Sequence, residues 1–412
     1  MTGSYNTEDI PMLNLFSRWR APAVRKPMPT PETKRSRTAP LIAWHGNGQA
    51  RWTPRDYAAL AREGYQTNAI VHRCVRLVAE SAAQVAVSAR FGGRELADHP
   101  LLSLMARPNP RQSGGAFLEA LYGHLLVAGN AYVEAVTLNG EVRELHALRP
   151  DRMRVVPGPD GWAVAYDYTV GGESVRFRQD GAGADEAGLP PILHLSMFHP
   201  LDDHYGMPPM EAAARALDIH NAAGAWNKAL LDNAARPSGA LVYAGPDGAS
   251  LTDGQFERLK SELEESFQGS RNAGRPLLLE GGLDWKPLSL SPKEMDFIEA
   301  KAAAAREIAL AFGVPPLLLG LPGDTTHANY AEANKALWRQ TVIPLVRRTL
   351  GSFAGWLGEA FAVDLVMEPD LDAIEELAED REKLWSRVLA AGDLLTDAEK
   401  RQALGYPAER PA

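Results

Sequence analysis

At 412 residues with 45% hydrophobic content, the chain is long enough for two or three domains with a substantial core, and it is not of the disordered class. A formal charge of -9 and a pI near 5.7 argue against a body that grips nucleic acid, and the single cysteine, Cys74, excludes an internal disulfide and a cysteine-based zinc cluster. No apolar run of about 18 residues occurs, and the start MTGSYNTEDIPMLN lacks the basic-then-apolar order of a secretory signal, so a soluble chain made in the cytoplasm is expected, with no membrane association.

Residues 1–50 are proline-rich and locally basic, as in the stretch from Arg18 to Arg37, with almost no helical or strand periodicity. They read as a flexible terminus or as a basic arm that touches nucleic acid or an acidic partner. From Thr53 the pattern turns helical through DYAALAREGY and NAIVHRCVRLVAESAAQVAV. Cys74, inside that run, reads as a small buried hydrophobe and not as a nucleophile. A rigid turn, Arg107-Pro108-Asn109-Pro110, follows a short helix, HPLLSLMA. A further helix is predicted from Gly114 to Val127. Gly129-Asn130-Ala131-Tyr132 should end it and launch a strand, and Asn139-Gly140 between AYVEAVTL and EVRELHAL signals a hairpin. Turns at 157–161 and at Gly171-Gly172 punctuate the short strands WAVAYDY and SVRFR, and ILHLSM closes a mixed region of about 55–205.

After Gly206 a helix of almost 30 residues is expected, with Pro208 or Pro209 in its first turn and Pro237 beyond its end. A small α/β insert follows: SGALVY as a strand, a helix capped by Thr252, then LLLE and LDWKPLSL. Ser291, Pro292 and Glu294 should start the next helix sharply, and Gly313 and Pro315 should stop it. Its stripe Ile298, Ala302, Ala305, Ala309 and Phe312 is spaced for side-by-side packing. A loop, Val314 to Asp324, carries three consecutive leucines that an isolated monomer would struggle to hide. The helix after it should begin near Thr325 or Thr326, carry Tyr330, Leu337 and Trp338, and be kinked or broken by Pro344. From Asp370 the chain is helical again, with a capping box at Thr396 and Glu399.

Signatures of chemistry are scarce. GxxxxGK[ST], GxSxG, HExxH and GxGxxG are absent. His194, His199 and His204 with Asp202 and Asp203 read as a metal site or as a polar strand-to-loop junction; the five-residue histidine spacing puts them on no common helix face. No pair of carboxylates is singled out by spacing for acid-base work. No catalytic residue, cofactor or metal is expected.

Six motifs in order carry a resemblance: TNAIVHRCVRLVAESAAQV, HPLLSLMARPNP, LLVAGNAYVE, GMPPMEAAARALD, NAARPSGAL, and IALAFGVPPLLLG with the helix of Asn329, Trp338 and Pro344. From about Tyr65 onward the chain resembles the portal proteins of long-tailed double-stranded DNA phages and of phage-like particles such as gene transfer agents. That resemblance implies an α+β portal fold in a ring, usually of twelve copies, through which DNA is packaged and ejected at one capsid vertex. The implied divisions are an arm at 1–50, a wing at 51–206 and 329–369, stem helices at 207–236 and 292–314, a clip at 237–291, a tunnel loop at 315–328 and a crown at 370–412. Leu317, Leu318, Leu319, Leu321, Asp324, Thr325, Thr326 and His327 would face the DNA. Gln268, Arg271, Asn272 and Arg275 in the clip would meet partners. The partners implied are further copies of the chain, the major capsid protein, the terminase large subunit, a head-tail adaptor, and double-stranded DNA passing without sequence specificity. The competing readings are another packaging component, such as a motor ATPase or nuclease, and a non-portal head-tail adaptor. A phosphate-cradling loop is missing for the first, and the clip-like insert speaks against the second.

Overall fold

The computed structural model describes residues 52–406, apart from 55, 92–93, 97–98, 180–188, 233–238, 244–251, 259–260, 262–282, 288–296, 322–326 and 362–363. The basic segment 1–50 therefore lies outside the described residues.

The first helices start where short polar side chains can satisfy free backbone donors. Asp56 caps α1 (Tyr57–Leu60), which runs into a π turn at Ala61–Gln66. Asn68 caps α2 (Ala69–Ala83), its Oδ1 accepting from the Ile70 and Val71 amides at 3.0 and 3.1 Å. Val71, Cys74, Val75, Val78 and Ala82 form one buried stripe on α2, at helical spacing. Strands β1 (Val87–Phe91) and β2 (Arg94–Glu95) follow, then α3 (Pro100–Ala106). Ser113 caps α4 (Gly114–Ala128), which packs against α2 and buries Phe117, Leu121, Tyr122 and Leu125. Each such side chain contributes roughly 1.5–3 kcal/mol by leaving water. The Arg107 to Pro110 turn is fixed by Asn109, whose side-chain amide donates to the Leu145 carbonyl at 3.0 Å.

Next come β3 (Asn130–Leu138) and β4 (Glu141–Leu148), joined by Asn139 at φ 55° and Gly140 at φ 76°. Two consecutive positive φ values match the right-handed twist of a tight hairpin, as Asn-Gly signals. Strands β5 (Met153–Pro157), β6 (Ala163–Val170) and β7 (Glu173–Arg178) make an antiparallel sheet, and β8 (Ile192–Ser196) returns to pair with β3. Tyr132, Leu148, Met153, Val155, Tyr166 and Ile192 form a small second core between these two sheets.

The helical stalk begins at α5 (Pro209–Ala212), with Ala213 as a short break before α6 (Ala214–Asp232). The expected single helix of almost 30 residues is thus two, and the part beyond Asp232 lies outside the described residues. In the insert, β9 (Gly239–Tyr243) pairs antiparallel with β10 (Leu283–Pro287), and residues 253–258 are helical. Gln255 reaches back to the start of that helix, its Oε1 accepting from both the amide and the hydroxyl of Thr252. LLLE and the proposed cap at Ser291 to Glu294 fall outside the described residues.

Helix α7 (Phe297–Ala311) packs against α6. Ala305, Ala309 and Phe312 are buried as the stripe predicts, but Ile298 is 81% exposed and takes no part in that contact. Ile298 sits at the outer end of the helix, beyond the reach of the core.

The last region holds α8 (His327–Leu337), a π turn at Trp338–Val342, and α9 (Ile343–Phe361). Pro344 should kink or break this helix, and the regular α-helix does give way just before it, ending at Leu337, passing through the Trp338–Val342 π turn and resuming at Ile343. A proline lacks the amide donor and crowds the carbonyl four residues back, and the wider π turn just before it is where such a misfit is commonly absorbed. Strand β11 (Leu365–Pro369) then pairs with β1 in the register Ala89 to Met367. The chain ends in α10 (Ala378–Ala390) and α11 (Asp397–Ala403), the latter opened by the Thr396–Glu399 capping box. No helix among the described residues is long and apolar enough to cross a membrane.

Candidate channel segment and partner surfaces

The leucine loop is built from two consecutive helix ends. At the first, Gly313 at φ 64° donates to the Leu310 carbonyl at 3.0 Å and Val314 donates to Ala309 at 2.9 Å. That pair of bonds is a Schellman end, and it needs a residue without a Cβ at the left-handed position. Thr341 reaches back from the π turn, its hydroxyl donating to the Gly313 carbonyl at 2.7 Å. Pro316–Leu319 then forms one 3-10 turn, closed by Gly320 at φ 70°. There the Gly320 amide donates to Leu317 at 3.2 Å and the Leu321 amide to Pro316 at 3.4 Å, which repeats the same pattern.

This geometry corrects the expectation that the leucines find no cover in a single chain. Leu318 and Leu319 pack against the main core of their own chain, and Leu317 and Leu321 are half-buried. Asp324, Thr325 and Thr326 fall outside the described residues. The described part of α8 begins at His327, directly after the undescribed Thr325 and Thr326. Leu337 at the end of that helix and Trp338 at the start of the π turn are buried, while Tyr330 is exposed.

Charge ties α8 to the C-terminal helices. Lys335 is buried to 9% exposure and its Nζ donates to Glu332 at 3.2 Å and Glu379 at 3.1 Å. Hydrogen bonds from Lys383 and Lys335 hold the Glu379 carboxyl well below the usual range, at about 2. Arg339 adds an ion pair to Asp380. The periodicity of the sequence gave no sign of this cluster, because its members are separated by more than 40 positions.

The histidine-rich stretch resolves into separate local roles. His194 lies on β8, stacked on Tyr132 at 4.3 Å between ring centroids, and its Nε2–H donates to Asn130 Oδ1 at 2.9 Å. Burial lowers its pKa to about 4, with His204 nearby acting in the same direction. His199 Nδ1 accepts from the Leu201 amide at 3.0 Å, and Asp202 accepts from the amides of His204 and Tyr205. Among the described residues no group of three or more His, Cys, Asp or Glu is placed to hold a metal ion. Cys74 is fully buried, and burial pushes its thiol up to about 12.

Asn130 has a role that motif reading did not foresee. Its Oδ1 also accepts from the Gly206 amide at 2.8 Å, and its Nδ2 donates to the Ala128 carbonyl at 2.8 Å. The residue therefore fastens the start of the stalk to the end of α4 and the head of β3. The sequence offered only the adjacent Gly129, since Gly206 lies 76 positions away.

In the insert, β9 and β10 give a two-stranded base. Gln268, Arg271, Asn272 and Arg275, expected to meet partners, lie outside the described residues.

Three comparisons bear on this architecture. The family model described as phage portal protein matches residues 69–405. A protein of Rickettsia bellii (strain RML369-C) is 42% identical over 347 residues, covering 84% of this chain and 88% of the relative. The structure of the neck of an empty GTA particle, computed with C6 symmetry, contains a chain 53% identical, with a TM-score of 0.67, covering 88% of this chain and 96% of that one. The neck of a native GTA particle, computed with C12 symmetry, contains a chain 52% identical with a TM-score of 0.65, covering 90% of this chain and 99% of that one. With a family match over most of its length and relatives similar nearly end to end, the chain belongs to the phage portal protein family, the head-tail connectors.

Proposed function

We propose that twelve copies of this chain form the portal ring at one vertex of a phage-like particle of the gene-transfer type, and that double-stranded DNA passes through it. The observation that carries this reading is the likeness, at about half identity and nearly full length, to chains in particle necks of sixfold and twelvefold symmetry. In this reading 51–206 and 329–369 are the wing, α5 to α7 the stem, 237–291 the clip, and 370–412 the crown. The clip docks the terminase large subunit and a head-tail adaptor, and the wing seats in the major capsid protein. The ring itself has no catalytic task.

Segment 315–328 is the tunnel loop of this proposal. Two glycine-closed turns fix its entry, with Leu318 and Leu319 packed against the core and Leu317 and Leu321 half-buried beside them. An apolar surface offers few groups that hydrogen-bond to passing phosphates. Twelve copies at -9 each carry a formal charge of roughly -108. Such a ring repels a polyanion and favours passage over retention.

Native mass spectrometry of the purified chain, together with imaging of assembled heads, tests the proposal. Closed rings of twelve located at one vertex are expected. A chain that stays monomeric in both experiments overturns it, and ATP hydrolysis by the pure protein would move the chain to the motor class.

A further inference from the structure

A closed ring of identical copies needs two different surfaces on each copy, one that gives and one that receives. Resting on the ring reading above, the C-terminal region supplies such a pair on opposite faces of α10.

The receiving surface is a groove of about 390 Å³ between α9 and α10. Its floor is apolar, from Ile343, Leu377 and Leu384. Its rim carries five cations and a single lining carboxylate, Asp380, in a chain whose net charge is -9. Three of the cations are engaged: Arg339 with Asp380, Arg381 with Asp372, and Lys383 with Glu379. Arg347 and Arg387 have no carboxylate partner among the described residues. Arg387 spends one donor on the Lys383 carbonyl at 3.4 Å, which leaves its other nitrogens and Arg347 without a carboxylate among those residues, and a groove with an apolar floor and these two guanidinium groups fits a ligand that is apolar and acidic together.

The giving surface has that chemistry. Leu389 is 66% exposed and Leu394 is 90% exposed, and Asp393, next to Leu394, and Glu382, two turns before Leu389 on α10, are exposed as well. At about 100° per residue, Leu389 lies roughly 200° round α10 from Arg387 and roughly 140° from Leu384, away from the groove. Glu382, seven residues earlier, shares the Leu389 face. None of Glu382, Leu389, Asp393 and Leu394 lines the groove of its own copy, and a copy placed beside it can receive them.

We propose that in the ring the knob formed by Glu382, Leu389, Asp393 and Leu394 of one copy seats in the Arg347–Arg387 groove of the next. The contact is front to back, and it links the C-terminal regions in a single rotational sense.

Cysteine cross-linking tests this directly, because the native Cys74 is buried and silent. Full-length Leu394→Cys and Arg387→Cys chains are assembled separately and as an equimolar mixture, oxidised, and run on a denaturing gel without reductant. Covalent dimers are expected in the mixture and not in either single variant, and the double variant should give a ladder of multimers. Dimers at equal yield in a single variant would show like residues meeting like, which overturns the proposal. Rings visible by imaging with no covalent product in the mixture or in the double variant would overturn it too while leaving the portal reading intact. Failure to form any ring would count against the portal reading itself. As a second readout, Arg387→Glu should lower the fraction of chains in rings, and adding Asp393→Arg should restore it. No rescue, with ring formation otherwise normal in the parent, would also sink the contact.

Discussion

Gly129 and Gly206 lie backbone against backbone: a methyl group on Gly129 would overlap the Gly206 carbonyl, and one on Gly206 would overlap the Gly129 carbonyl. Gly129 takes φ 70° at the end of α4, and its carbonyl accepts from the Met197 amide at 2.7 Å. This close approach brings the end of α4 to the segment that leads into α5. Asn130 then locks it through Gly206.

Gly206→Ala should therefore be costly. The new Cβ meets backbone on both sides, which cannot swing away, and a loss of roughly 3 kcal/mol is expected. A thermal unfolding scan of the purified chain should show a large drop for Gly206→Ala and little change for Gly224→Ala, where nothing lies within 4 Å of the added carbon. Equal behaviour of the two variants would refute the constraint.

Stability should fall in mild acid through His194. Its pKa is about 4 in the folded chain against an ordinary 6.5, because burial disfavours the charged ring. The unfolded chain thus takes up a proton that the fold refuses, so stability is full above pH 6.5 and declines as pH drops towards 4. His194→Phe cannot titrate, and its unfolding midpoint should depend less steeply on pH over that window. An unchanged slope would mean that other groups, His124 among them, carry the acid sensitivity.

Gly313 and Thr341 should be energetically coupled. Thr341→Ala removes the hydroxyl that donates to the Gly313 carbonyl, a loss of about 1 kcal/mol. Gly313→Ala forces a side chain into φ 64° with its Cβ 2.5 Å from that same hydroxyl oxygen. Made together, the two changes should cost less than their sum, since Thr341→Ala removes the atom that the new Cβ at position 313 would strike. Strict additivity in denaturant titrations would argue that the glycine acts through φ alone.

If 315–328 is the tunnel loop, its distal part should be separable from its anchor. Replacing residues 321–326 with glycine and serine leaves Leu318 and Leu319 in place, so rings should form in normal yield while heads fill poorly with DNA. Electron micrographs of heads from the variant decide the matter, and normal filling would remove the segment from the channel.

Much of this protein is legible locally. Asn139-Gly140 forms its tight hairpin, Ser113 caps α4, Thr396 and Glu399 form their capping box, Cys74 is buried on α2, and Gly313 ends α7. Each depends on groups within a few positions of one another, so backbone sterics and nearby donors settle the outcome whatever the rest of the chain does. The ordered motifs that mark the portal family are legible for the same reason, since they are short and contiguous.

Other features depend on which surfaces meet. Strand β11 finds β1 across more than 270 positions, and Asn130 holds Gly206 across 76. Leu318 and Leu319, which by composition belong outside a monomer's comfort, are partly covered because the core they meet is assembled from distant helices. The break that Pro344 signals takes the form of a π turn at Trp338–Val342, whose place depends on the packing of Trp338 and Val342 in the core. Composition and spacing determined the elements, their caps and the family; burial and long-range pairing, which depend on solvent exclusion between segments remote in the chain, were decided only when the tertiary structure brought those segments together.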